Sequence, residues 1–257
     1  QLQSIDQRLV GKPLIMGECG AKDHPTFATA DPWGMGDDDE RYNQRFDYLV
    51  HHAFGLGATA LCSWHWRDPI EGIFPCGQVR SDRVPRPSAS IMRALAFTLG
   101  RLRPRYEVPA VAVVVPETHR FGGSRTAVNA ALARTGEVLM SCQVDCGFIS
   151  EAKLGELPAG VKALVYPAPY CPPDEVVAQL RAFVEQGGSL YFSGDISYDP
   201  SRKLTRAGRL VELAGVERTG VTDPKAAPCA TATTYRLRGA EALPGDAPAT
   251  LFKLGRG

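Results

Sequence analysis

Apolar positions along the chain alternate between short continuous runs and longer stretches of helical period. KPLIMGEC (12–19) is a short apolar run between Gly11 and the turn region Gly20 to Pro25, the pattern of a buried parallel strand. A long polar loop through DPWGMGDDDE follows. From Asp39 to Phe54 the residues Tyr42, Phe46, Leu49, Val50 and Ala53 recur at helical spacing, with acidic residues in the first turn and Gly55 and Gly57 past the end. ATALCSWHW (58–66) predicts a second strand. After a loop rich in Pro and Gly, Ser88 to Leu102 predicts a second helix, with Ile91, Leu95, Phe97 and Leu99 on its apolar face.

After the linker RPRYEVP the pattern restarts with VPAVAVVVPET (108–118), a Val-rich run of the kind found in a sheet covered on both faces. A helix over 125–134, a strand in QVDCGFIS, a strand in VKALVYP (161–167), a helix in PDEVVAQLRAFVEQGG and a strand in SLYFSG (189–194) come next, the helix closed by a Gly pair. RAGRLVELAG predicts one more helix. Strands alternating with helices imply an α/β fold with a doubly wound parallel sheet. Beyond Val221 the text changes to Thr, Ala and Pro with a strand-like TATTYRLR, read as the incomplete start of a β-rich segment. The expected boundaries are therefore 1–103, 107–220 and 221–257. No repeat of fixed period is present.

Composition narrows the partners. With 44% hydrophobic and 22% charged residues the chain has the balance of a packed globular protein. Lys+Arg number 29 against 28 Asp+Glu, and no basic cluster is dense enough to track phosphates, which argues against nucleic acid. No apolar run approaches the ~20 residues that span a bilayer, which argues against a membrane partner. The seven cysteines are an odd number without paired CxxC spacing, so neither a disulfide framework nor a zinc site is expected. Cysteine usage weakly favours the cytoplasm. The chain opens on Gln1, and QLQSIDQRLV has the pattern of a helix in progress rather than a signal peptide, so the natural N-terminus is expected upstream and localisation stays open.

The densest chemical signal is GKPLIMGECG (11–20). Strand alternation predicts Leu14, Met16 and Glu18 on one face, with Glu18 at the C-terminal end of the strand, where an acidic side chain is costly unless used. The second strand ends in SWHWRDP, in which alternation puts Trp64 and Trp66 on a shared face at the same rim, with His65 facing away. A carboxylate beside indole platforms is the chemistry of sugar binding. Asp23 and His24 follow Glu18 closely enough to line a pocket, and Arg67 is a candidate substrate contact. Arg67 and Asp68 are otherwise expected to pair with each other or with loop backbone, His51 and His52 to be structural, and Cys142 and Cys146 to be buried thiols. No Gly-rich phosphate loop is present, and HRFGGSR after the Val-rich strand lacks both nucleotide-binding spacings.

GKPLIMGECG resembles the glycoside hydrolases of clan A type with (β/α)8 barrels, whose nucleophile Glu ends strand seven in GKP-[apolar]-GE-[FYC]-G. The resemblance implies that Glu18 is the nucleophile, and that ATALCSWHWRDP is strand eight, with Trp64 flooring the sugar subsite. RAFVEQGGSLYFSGD resembles the glutamine-amidotransferase-like trimerisation domain that follows the barrel in family 42 β-galactosidases. Together the two resemblances cover residues 12 to about 220 and imply the last two βα units of a barrel followed by a flavodoxin-like doubly wound parallel sheet. They imply a retaining hydrolase acting on a carbohydrate, a homo-oligomer, with a trimer as the form in that family, and no cofactor or metal. Only two of eight βα units are present. The acid/base Glu of strand four is absent from these residues, so they are expected to be inactive alone. A different class of reading is a non-catalytic carbohydrate-binding or interaction protein derived from such an enzyme. A glutaminase built on Cys171 is disfavoured because no His follows His119.

Overall fold

The computed structural model describes residues 9, 13–19, 39–55, 57–68, 77–102, 105, 107–117, 125–223, 225, 232–245 and 249–255. The chain divides into two compact units, one within 11–107 and one within 108–257, to which Leu9 also belongs.

In the first unit, strand β1 (Leu14–Cys19) pairs in parallel with β2 (Ala58–Ser63). Parallel neighbours need a crossover, and α1 (Asp39–Gly55) supplies it. Phe46, Val50 and Ala53 are fully buried on α1, a spacing of four and three that turns one stripe inward. Phe46 and Val50 meet Leu95 of α2 (Pro87–Leu102), with Ile91, Met92 and Leu99 beside it and Met16, Cys19 and Leu61 from the strands. Phe97 departs from the expected apolar face of α2. It is 64% exposed, and the Arg101 guanidinium lies over its ring at 4.9 Å.

The second unit is built on a four-stranded, all-parallel sheet in the order β4-β3-β5-β6. Its strands are β3 (Val111–Val115), β4 (Cys146–Ser150), β5 (Ala163–Tyr166) and β6 (Ser189–Phe192). The central β3 shows why its sequence is an unbroken Val-rich run. Ala112 and Val114 pack with Ile149, Leu164 and Tyr166 beneath α4 (Asp174–Glu185), while Val113 and Val115 pack with Phe148 beneath α3 (Arg125–Ser141). Both faces are covered, as in a doubly wound sheet, and the strand order is flavodoxin-like.

Helix α3 runs to Ser141, seven residues past the predicted end at 134. Its continuation TGEVLMS carries a Gly that is buried rather than helix-ending. Cys142 just beyond it is exposed, not buried, whereas Cys146 is buried in β4. A 3-10 turn (Glu151–Glu156), with Ser150 capping it, follows β4 and has no apolar period to announce it. The Gly pair after α4 has a steric cause. Gly187 takes a left-handed φ of 104°, and a Cβ on Gly188 would collide with the Phe183 ring.

Helix α5 (Gly208–Ala214) leads into β7 (Val216–Val221), which pairs antiparallel with β8 (Thr233–Leu237). A short hairpin of β9 (Glu241–Ala242) and β10 (Thr250–Leu251) follows. Phe252 and Leu254 pack against Ile196, Leu210, Leu213 and Val216, so the described tail shares a core with α5 and β7. Among the described residues no helix is long and apolar enough to cross a membrane.

Candidate active site

Because β1 and β2 are parallel, their C-terminal ends lie at one edge, and Glu18 and Trp64 both stand at that edge. The Trp64 backbone N–H donates to the Cys19 carbonyl at 2.6 Å. The pairing runs Met16 to Leu61 and then Cys19 to Ser63, three residues of β1 against two of β2. The extra residue falls at Gly17–Glu18 and is a β-bulge, which re-aims side chains. Alternation is thereby broken. Met16 and Cys19 both pack into the helix-covered core, and Glu18 between them is exposed, so Met16 and Glu18 do not share the face that alternation predicted. Cys19 is the inert side of this end, because burial, with Cys62 as the lesser cause, pushes its thiol up to about 11.

Strand β2 ends at Ser63, three residues short of the predicted end at 66. His65 has φ of 61°, a left-handed conformation rare for a side chain with a Cβ, and the turn it makes ends the strand. Its ring lies edge-on to Trp64 with centroids 4.6 Å apart, so it does not face away from the indole. Trp64 is 39% exposed and Trp66 73% exposed. Arg67 is exposed too, in a parallel bridge with Val79. Asp23 and His24 lie outside the described residues, as do the Asp37, Asp38 and Asp39 side chains of DDDE, residues 119–124 of HRFGGSR and most of QLQSIDQRLV, whereas Glu40 is exposed and accepts from Gln44 Nε2 at 3.2 Å.

Asp68 accepts from loop backbone as expected, the Gly77 N–H donating to Oδ1 at 2.7 Å. Its ion-pair partner is Arg86 at 2.6 Å and not Arg67, because neighbours along an extended chain point to opposite sides. Arg86 and Gln78, both buried, are site-supporting residues that sequence reasoning missed. They lie 10 to 18 positions from Asp68, and no spacing rule links them to it. The weak signal was an Arg directly before the Pro that opens α2. His51 and His52 are surface-helix residues. His51 pairs with Asp47 at 3.0 Å, and His52 stacks on Tyr48, with burial lowering its pKa.

At the C-terminal edge of the second unit's sheet the described polar groups are turned on one another. The Tyr166 hydroxyl donates to the Glu151 carboxylate, both residues buried, and burial followed by the Glu151 charge drives the phenol pKa upward. Buried Arg209 donates to the carbonyls of Pro172, Ile196 and Tyr198 and pairs with Asp174. Cys171 is buried beside them at 2% exposure. Among the described residues no group of three metal-ligating side chains is assembled.

No family model and no curated protein matches the chain. Solved structures do. Gan42B, a GH42 β-galactosidase from G. stearothermophilus, superposes over 100% of the chain and 42% of its own length, with a TM-score of 0.73 and 16% identity. A β-galactosidase from Bacillus circulans sp. alkalophilus gives 0.70 at 15% identity, over 96% of the chain and 42% of its own length. The fold is GH42-like. The exo-β-1,4-mannosidase Op5Man5 from Opitutaceae bacterium strain TAV5 gives 0.60 at 18% identity, over 84% of the chain and 44% of its own length. The chain thus spans less than half the length of these GH42 and mannosidase structures, and its mixed α/β architecture with parallel sheets is consistent with a partial (β/α)8 barrel and a flavodoxin-like sheet.

Proposed function

We propose that the chain is the nucleophile-bearing part of a retaining β-glycosidase, with Glu18 as nucleophile. The observation that carries this reading is the bulge that leaves Glu18 exposed at the C-terminal edge of β1, beside Trp64, in a GH42-like fold. Enzymes of barrel type place their chemistry at that edge. In the reaction the Glu18 carboxylate attacks the anomeric carbon, and the leaving oxygen takes a proton from a second carboxylic acid ~5–5.5 Å away. Water then cleaves the glycosyl ester, returning its proton to that second group and freeing Glu18. We assign the second carboxyl to barrel strands of the parent enzyme outside these 257 residues. Trp64 and Trp66 supply the sugar-stacking surface, Arg67 a polar contact, and Asp23 and His24 the nearby pocket wall. The substrate class is a β-galactoside or β-mannoside, as in the names of the three structural neighbours described above, and no cofactor takes part.

Residues 107–220 would serve self-association, as a trimer in the parent, with the preceding βα units as the sugar-binding portion. The direct test is trapping. A 2-fluoro-β-galactoside or 2-fluoro-β-mannoside with a good leaving group should label the parent stoichiometrically, and peptide mapping should find the adduct on Glu18. An adduct on another carboxylate removes the assignment. Saccharide binding with no adduct and no turnover would instead favour a binding protein derived from such an enzyme.

A further inference from the structure

The segment that carries Trp64 and Trp66 is irregular, yet it is tied to residues 77–86 by a ring of hydrogen bonds. The Val79 N–H donates to the Trp66 carbonyl at 2.9 Å, and the Asp68 N–H donates to the Val79 carbonyl at 2.9 Å. Both oxygens of Asp68 are engaged, Oδ1 by the Gly77 N–H and Oδ2 by Arg86 Nη2. Arg86 closes the ring, Nη1 donating to the Gly77 carbonyl at 2.7 Å and its backbone N–H donating to the Gln78 carbonyl at 2.9 Å. Gln78 Nε2 reaches back to Ser63 Oγ at 2.7 Å, where β2 ends. Gly77 is required in this knot, since a Cβ there would sit 2.7 Å from the Asp68 nitrogen and 2.8 Å from Oδ1.

We propose that Asp68 and Arg86 are positioning residues, whose buried ion pair fixes the Trp64–Arg67 segment as a preorganised saccharide platform. For the ligand this rests on the glycosidase reading above. Three observations separate the pair from ordinary core packing. The pair is almost wholly buried, with side chains 6% and 2% exposed, and it stands apart from the apolar cluster of Cys19, Phe46, Val50 and Leu95 that forms the helix-covered core of the unit. Such a pair is weak evidence for net stability, because desolvation of two charges offsets their attraction, so a role in fixing geometry better explains it here. The indoles it supports remain exposed, and His65 beside them is held at a left-handed φ that needs outside restraint. Gln78 Oε1 and His65 Nε2 are also buried without a hydrogen-bond partner among the described residues, so the polar layer under the platform retains capacity that packing alone leaves unused.

The test uses Asp68→Asn, which keeps the shape and an acceptor for the Gly77 N–H but removes the charge facing Arg86, and Arg86→Lys as the conservative partner change. Amide exchange is measured on the 257-residue chain. Residues 64–68 should exchange faster in Asp68→Asn, while the helix core 46–53 and strand 111–115 are unchanged. In the parent, with p-nitrophenyl β-galactoside and β-mannoside, KM should rise roughly tenfold, because two aromatic side chains must now be ordered on binding instead of in advance. The kcat should stay within about twofold, since Glu18 is untouched. Arg86→Lys should recover part of the KM loss relative to Arg86→Ala. Unchanged exchange at 64–68 overturns the proposal, as does a uniform loss of kcat, thermal stability and exchange protection. If the unmodified parent neither turns over these glycosides nor is labelled at Glu18, the glycosidase reading fails, and the exchange data alone then decide whether the pair holds the segment.

Discussion

The Trp64 backbone N–H reaches across the strand gap to the Cys19 carbonyl at 2.6 Å, the last rung of the β1–β2 ladder. That backbone bond joins the residue after Glu18 to the residue that carries the first indole beyond β2, so both positions stand at one strand edge. Below it the bulge at Gly17–Glu18 sends Cys19 inward to Phe46, Val50 and Leu95 and leaves the carboxylate outside. Core packing thus fixes the position of the candidate nucleophile from its buried neighbour.

Glu18→Gln in the parent should lower kcat by about 10⁴-fold or more, the scale seen when a covalent catalyst loses its nucleophile. The side chain is exposed, so folding should be unaffected. Steady-state kinetics beside a thermal melt separates the two effects. Near-normal kcat would remove Glu18 from the mechanism.

The 257 residues alone should show no hydrolysis of aryl β-glycosides. With the second carboxyl placed elsewhere in the parent, leaving-group protonation is missing, a loss of roughly 10²–10⁴-fold before any loss of subsite enclosure. Turnover at ordinary enzymatic rates by the purified chain would refute that placement.

Legibility followed the range of the forces involved. β3 reads directly from Val111 to Val115 because burial on two faces writes a continuous apolar run, and α4 with its Gly187–Gly188 exit reads from local period and local sterics. The bulge was half-legible, since Gly17 inside a strand is a known sign of one, yet strict alternation put Glu18 on the wrong face. The turn at His65 and the pairing of Asp68 with Arg86 were not legible. The first is a left-handed residue that is not Gly or Asn, and the second is a contact across 18 positions with no period to reveal it. Strand β7 was missed because VERTGV carries apolar residues only at its ends.

Self-association of the parent should run through the second unit. Strand β6 stands at the end of the sheet order with Tyr191 59% exposed, and an edge strand with an exposed aromatic invites a partner. Sedimentation should give a specific oligomer, a trimer on the proposed reading, and Tyr191→Lys should weaken it. A concentration-independent monomer would leave the unit as a prop for the barrel.

Gly188→Ala should destabilise the second unit by about 1–3 kcal/mol, the usual cost of forcing a methyl into a filled site. The Phe183 ring occupies the space, and Phe183 itself packs on the core around Leu164 and Leu180, so it cannot simply swing out. Urea titration should show a lower midpoint with an unchanged slope. Phe183→Leu in the same background should recover part of the loss by vacating the ring volume, and failure to do so would place the cost in the backbone instead.

Asp174 opens α4, and hydrogen bonds from Arg206 and Arg209 hold its carboxyl down to about 2 from an ordinary 3.8. A carboxyl whose folded pKa is depressed stabilises the fold above its unfolded value, and that contribution disappears as pH falls through the folded value. The window is therefore between about 4 and about 2. The side chain is 60% exposed, so solvent screening keeps the gain small even though Arg209 is buried. Asp174→Asn should flatten the pH dependence of unfolding in that window and lower stability at neutral pH, where the charged form is otherwise fully present. It should also leave Arg209 with its three carbonyl acceptors but without its anion. Chemical denaturation at pH 7, 4 and 2.5 checks the sign. Equal stability losses at all three values would show that Asp174 acts through the packing and hydrogen bonds it offers Arg206 and Arg209 and not through its charge.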